Sequence, residues 1–153
     1  MDRALRNGAT DPGDIAMAIA PLGVMTTIQQ RVVAAAVCKD GQFLLCRRPA
    51  RKRHRGLWEF PGCKCEPGET DHQAITREIA EELNVEVSAI GPALFSTQDP
   101  DSPYMIVFFS VEIRGATHCI EHAAIAWASR DELEAYELAP RDARFANFLR
   151  TFE

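Results

Sequence analysis

Four glutamates, Glu69, Glu78, Glu81 and Glu82, crowd one short stretch of this chain, LWEFPGCKCEPGETDHQAITREIAEELNV at residues 57–85. Glu78 and Glu82 are four residues apart and Glu78 and Glu81 three apart, so a helix makes them surface neighbours. Each like-charge pair costs an isolated helix about 0.2–0.5 kcal/mol. All three lie toward the C-terminal half of the predicted helix, where the dipole favours cations over acids. A solvated acidic face, partly relieved by Arg77, is one reading. The other is that a cation sits against the cluster. Oxygen donors of this kind suit hard divalent ions such as Mg²⁺ or Mn²⁺, whereas structural zinc prefers Cys and His.

A second charged feature is the loop RRPARKRHR at residues 47–55. It reads either as a solvated basic loop or as a clamp for an anion, with Arg48 foremost and Arg53 and Lys64 assisting. Few aromatics interleave with it, and single-stranded nucleic acid generally needs such stacking platforms. The four histidines, His54, His72, His118 and His122, make no metal spacing with one another and read as surface or loop residues.

The elements that must position these groups follow from periodicity and caps. Thr70 and Gln73 have the capping-box spacing, and Ile75, Ile79 and Leu83 recur as a buried stripe, which predicts a helix over 70–83. Asp40-Gly41 predicts a hairpin turn between strands at 31–38 and 42–47. Further strands are expected at 85–90, 93–98, 104–113 and 123–127. Ser129 and Glu132 form another capping-box pair opening a short helix toward Ala135. A terminal helix at 141–150 should bury Phe145, Phe148 and Leu149. Strands and helices mix without regular alternation, so the class by pattern is α+β.

The stretch from Cys63 to Val85 resembles the Nudix box, G-x5-E-x7-R-E-U-x-E-E-x-G-U, where U is bulky and apolar. Glu69, Arg77, Glu78, Ile79, Glu81, Glu82 and Val85 are all in register. Cys63 and Asn84 stand where the pattern has glycine. Asn tolerates a left-handed helix terminus. A glycine at 63 implies an unusual backbone angle or a close approach, so Cys63 is expected to bring strain of about 1–3 kcal/mol or a perturbed site.

The resemblance runs from about residue 32 to 149 and is strongest to the MutT-like nucleoside triphosphate pyrophosphatases. Arg47-Arg48 before EFPGCK, Glu121 six residues before Trp127, and Asp142 in LAPRD carry it. It implies an α/β/α sandwich with a mixed central sheet over residues 30–153. It also implies Mg²⁺ or Mn²⁺ as cofactor, held by Glu78, Glu81, Glu82 and the Gly62 carbonyl. Arg77 would orient Glu69, while Glu69 or Glu121 would activate water, Glu121 being preferred. Arg48, Arg53, Glu59, Phe60, Lys64 and Asp142 would contact the substrate, with Phe60 against the base or in the core. The implied reaction splits a nucleoside triphosphate into monophosphate and pyrophosphate. Oxidised nucleotides such as 8-oxo-dGTP and pyrimidine nucleotides such as CTP remain open as substrates. Two alternatives are a catalytically weak, Nudix-like nucleotide-binding sensor, its activity impaired by Cys63, and an enzyme acting on capped RNA or dinucleotides.

The chain has 153 residues, length enough for one domain with an adequate core, and a net charge of −5, which argues against general nucleic-acid affinity. No apolar run is long enough to span a membrane. Five scattered cysteines read as reduced thiols, which fits the cytoplasm. Residues 1–29 read as a leader or flexible arm. A monomer and a homodimer both fit.

Overall fold

The computed structural model describes residues 30–50, 56–98 and 102–152. The reading of residues 1–29 as an arm and the candidate Arg53 therefore lie outside the described residues.

Strand β1 (Gln30–Lys39) turns at Asp40 and Gly41 into β2 (Gln42–Arg47). Both turn residues have positive φ, 53° and 77°, as the tight hairpin turn requires. β1 runs parallel to β6 (Tyr104–Arg114), which pairs antiparallel with β5 (Glu86–Gln98). The start of β1 also pairs antiparallel with β4 (Gly62–Lys64). On the other side β2 pairs antiparallel with β3 (Trp58–Glu59) and β7 (Ala124–Ser129). The sheet is mixed, as expected. The strands expected at 85–90 and 93–98 are one strand. Gly91-Pro92 is absorbed there as a shift in register between Ile90 and Ala93. β3 and β4 are too short to leave a periodic signal.

Side chains alternate across β1, and this builds two cores. Val33, Ala35 and Val37 face helix α1 (Asp71–Leu83), packing with Ala74, Ile75, Ile79 and Leu83. Ala34 and Ala36 face helix α2 (Pro140–Thr151), packing with Phe60, Phe108, Phe145, Ala146 and Leu149. A sheet buried on both faces between helices is the sandwich the pattern implied. Phe148 departs from its expected burial. It is half-buried, between Phe95 and Phe152 at 5.0 and 4.7 Å.

The local signals hold in detail. Thr70 Oγ1 accepts from the Gln73 N–H at 3.1 Å, and Gln73 returns the contact to Thr70 N at 2.9 Å. Asn84 ends α1 in the left-handed region, φ 51°, and its N–H reaches Ala80 O. Ser129 and Glu132 bond each other's backbone N–H, but the element they open is a short 3₁₀ turn, Asp131–Ala135. All five cysteines are unpaired. Among the described residues, no helix is long and apolar enough to cross a membrane.

Candidate active site

Helix α1 brings the conflicting charges of the sequence to the wall of a cavity of about 630 Å³. Glu78 and Glu82 line it from the helix, and Gly62, Cys63 and Lys64 from β4. Arg48 enters from just after β2, Glu59 from β3, Glu121 and His122 from the loop before β7, and Arg141 and Asp142 from the start of α2. Carboxylates and basic side chains thus share one hollow.

Glu78 is 6% exposed, which removes the solvated-face reading for this residue. Glu82 is close beside it, and its Oε1 is buried without a hydrogen-bond donor. An orphaned buried carboxylate oxygen is costly unless something positive completes it. Burial pushes the Glu82 carboxyl up to about 9, aided by its hydrogen bond with Glu78 and the charges of Glu78, Glu121 and Glu59. Such a group fits a divalent cation, which supplies the missing positive charge. Among the described residues, no set of three His, Cys, Asp or Glu side chains is already drawn together tightly enough to enclose a metal. Phosphate and water oxygens would have to complete the shell.

Glu81 stands apart from this pair. Its side chain is 57% exposed, turned to Arg77 at 3.4 Å, and absent from the cavity wall. Arg77 chiefly serves Glu69, gripping its two carboxylate oxygens at 2.7 and 2.9 Å. Glu69 also accepts from the Glu66 N–H at 2.9 Å. The Arg77 hydrogen bonds, then the Glu66 N–H, hold the Glu69 carboxyl down to about 2. The two candidate bases therefore differ: Glu69 is tied up away from the cavity, while Glu121 is exposed and lines it.

At the basic side Arg48 Nη1 donates to Glu59 Oε1 at 2.7 Å. The Lys64 ammonium lies 4.6 Å from the centre of the Tyr104 ring, and both line the cavity. Phe60 belongs to the core and also lines the cavity. Its ring is 2% exposed and packs edge-on against Phe43, Phe108 and Phe145. Its backbone N–H donates to Asp142 Oδ1 at 3.0 Å. Asp142 is buried at the start of α2, and desolvation pushes its carboxyl up to about 7 against that hydrogen bond.

A NUDIX domain model matches residues 28–149. The chain belongs to the Nudix family. It is 40% identical over 114 residues to the CTP pyrophosphohydrolase of Escherichia coli strain K12, covering 72% of this chain and 84% of that protein. It is 30% identical over 118 residues to a putative 8-oxo-dGTP diphosphatase 2 of Mycobacterium tuberculosis, covering 75% and 84%. The solution structure of the E. coli ORF135 protein superposes with a TM-score of 0.68 at 38% identity, covering 84% of this chain and 91% of that one. The α+β sandwich is thus the Nudix fold, and the chain is a Nudix hydrolase.

Two expectations need correction. Cys63 is not strained. It lies in regular β4, paired with Val33, and the only described non-glycine residues with positive φ are Asp40 and Asn84. The close approach falls one residue earlier. A Cβ on Gly62 would stand 2.4 Å from the Val33 carbonyl oxygen. The Cys63 thiol finds room near Ala74 O at 3.8 Å and Arg77 Nη2 at 3.6 Å. Burial, then the Glu78 charge, pushes it up to about 12, far from a reactive thiolate.

The second correction concerns His122, read as a surface or loop residue: it does lie in the loop before β7, but not at the surface. Its side chain is 6% exposed, with Nε2 3.4 Å from Glu59 Oε2 and 3.6 Å from Glu82 Oε1. Its one available signal was the neighbouring Glu121. Tyr104 and Arg141 were missed as well, because nothing in their local sequence marks them as facing a shared hollow.

Proposed function

We propose that this Nudix hydrolase splits nucleoside triphosphates into monophosphate and pyrophosphate with the help of divalent ions. The observation that carries the reading is the unpartnered Glu82 Oε1, beside Glu78, in a cavity whose other walls carry Arg48, Lys64 and Arg141. A triphosphate is long, anionic and able to bridge the two sides.

Glu78 and Glu82 would hold Mg²⁺ or Mn²⁺, with the Gly62 carbonyl at the same wall as a further oxygen. Bound there, the ion would neutralise phosphate charge and raise the acidity of an attacking water. Arg48 and Lys64 would bind the phosphate chain as charge-assisted donors. Glu121, exposed at the cavity, would accept the proton of the attacking water. Arg77 and Glu69 would brace the helix against the β4 turn rather than take part in proton transfer. Glu81, close to this brace, remains within reach of a more loosely held second ion.

Asp142 is the proposed base reader. A buried carboxyl that already takes one backbone N–H can accept another from an exocyclic amino group, as carboxylates do with cytosine N4. Together with the likeness to a CTP pyrophosphohydrolase, this puts cytidine triphosphates beside 8-oxo-dGTP as substrates. Clearance of modified nucleotides would follow if the oxidised one is preferred.

The test is release of pyrophosphate from canonical, 8-oxo and methylated triphosphates with Mg²⁺, Mn²⁺ or chelator. Metal-dependent formation of monophosphate is expected. Release of orthophosphate instead, or calorimetry with no divalent-ion uptake with or without nucleotide, would sink the reading.

A further inference from the structure

The polar groups of the cavity are connected in a way the reaction alone does not require. Arg48 holds one oxygen of Glu59 at 2.7 Å. The other oxygen of Glu59 faces His122 Nε2 at 3.4 Å, and the same nitrogen faces Glu82 Oε1 at 3.6 Å. Both distances exceed a well-formed N–H···O bond, about 2.9–3.0 Å. One ring nitrogen thus lies between two carboxylates, at full hydrogen-bonding distance from neither. The opposite ring nitrogen, Nδ1, is buried without a partner.

The backbone holds this histidine in place from both sides. The loop that carries it is tied to the end of α1 by His118 N–H to Leu83 O at 2.8 Å and Ile120 N–H to Glu82 O at 3.2 Å. It is tied to the end of β2 by Ala123 N–H to Arg47 O at 3.0 Å. The imidazole therefore bridges the strand end that leads into Arg48 and the helix end that carries Glu82. A histidine that merely filled the core would not need two carboxylates at one nitrogen.

We propose that His122 is a positioning residue, sharing its Nε2–H between Glu59 and Glu82 and so coupling the arginine clamp to the metal-binding carboxylate. When a phosphate draws Arg48 away, Glu59 loses a donor and takes more of the imidazole N–H. Glu82 then loses the imidazole donor and turns to the cation. Nucleotide binding in this way readies the metal carboxylate. The inference rests on the proposed metal role of Glu82.

The test compares His122→Leu and His122→Gln in the full chain, reading kcat, KM and the Mg²⁺ concentration for half-maximal rate. A Gln carboxamide can put an N–H near the Nε2 position, and Leu cannot. His122→Leu frees Glu82 of the imidazole and leaves Glu59 without a second donor when a phosphate draws Arg48 away, so it is expected to lower the half-maximal Mg²⁺ and to raise the nucleotide KM by roughly 10–100-fold, the usual cost of a lost hydrogen bond to a charged group. His122→Gln should restore most of this, and Glu59→Gln added to His122→Leu should cost little more. Normal metal dependence in His122→Leu, or equal damage in both variants, would overturn the proposal. Nitrogen NMR of the wild-type imidazole decides the matter even where the Leu variant does not fold. A proton on Nε2, with a resonance that moves on addition of Mg²⁺, supports the coupling; an Nε2 without a proton overturns it. Wild-type turnover that needs no metal would instead remove the reading beneath, and this inference with it.

Discussion

Glu69 and Glu82 belong to one motif, yet the fold treats them in opposite ways. Glu69 is gripped through both oxygens by Arg77 and takes a backbone N–H as well. Glu82 lies against Glu78, with one oxygen buried and unpaired. The difference comes from where the helix puts each one. Glu69 sits just before the cap, within reach of Arg77 two turns along, while Glu82 sits at the far end where no described side chain donates fully to Oε1. One carboxylate braces the turn; the other is left for a ligand to complete.

Glu82→Gln breaks the second half of that comparison and should give the largest effect. Loss of a metal-binding carboxylate forfeits several kcal/mol of charge stabilisation, or roughly 10²–10³-fold in kcat. The same change should stabilise the metal-free protein by about 1–3 kcal/mol, because it removes an unsatisfied buried carboxylate. Urea unfolding in chelator checks this. A variant less stable than the parent there would mean that Glu82 is already satisfied.

Glu69→Gln tests the other half. Arg77 keeps one acceptor at that site but loses the charged fork, so the β4 turn loosens against α1. We expect a fall of roughly 10–100-fold in kcat/KM, as for supporting residues of metal sites. Stability should fall too, in contrast to Glu82→Gln. Thermal melts of both variants in chelator give the comparison directly, and a shift in the same direction for both would erase it.

The sequence made the scaffold legible and the site only in part. Thr70, Gln73 and Asn84 speak through local backbone bonding, so their roles can be read from spacing alone. The buried stripe Ile75, Ile79 and Leu83 is equally local. The grouping of Glu78 and Glu82 follows from helical pitch, but pitch could not say that Glu81 turns away to Arg77. His122 and Tyr104 face the cavity only because separate elements converge there, and no local rule encodes convergence. Cys63 shows the converse error. A pattern glycine was read as a backbone demand at 63, whereas the sheet imposes that demand at Gly62 through the Val33 carbonyl.

Asp142 lies between the two glutamates in kind, being buried but with one donor. Its carboxyl is raised from 3.8 to about 7 by desolvation. Between these values the folded protein holds a proton that the unfolded chain has released. This contribution is therefore fully present below about pH 3.8 and is lost as pH rises through about 7, with a slope of at most about 1.4 kcal/mol per pH unit. Asp142→Asn should flatten that part of the stability profile while retaining an acceptor for Phe60 N–H. An unchanged slope in urea titrations from pH 4 to 8 would show that this carboxyl ionises as freely folded as unfolded.

Cys63→Gly should have the smallest effect, and its smallness is informative. In β4 the thiol touches Ala74 O and Arg77 Nη2 only at sulfur distances, 3.8 and 3.6 Å, so little direct bonding is lost. Glycine in a strand costs about 0.5–1 kcal/mol of backbone entropy, and no strain is released in return because the backbone is already regular. We expect kcat and KM to stay near wild type and the melting temperature to drop slightly. A large gain in activity would show strain at Cys63 that the strand geometry lacks. A large loss would give the thiol a part in holding Arg77, and through it the braced end of the site.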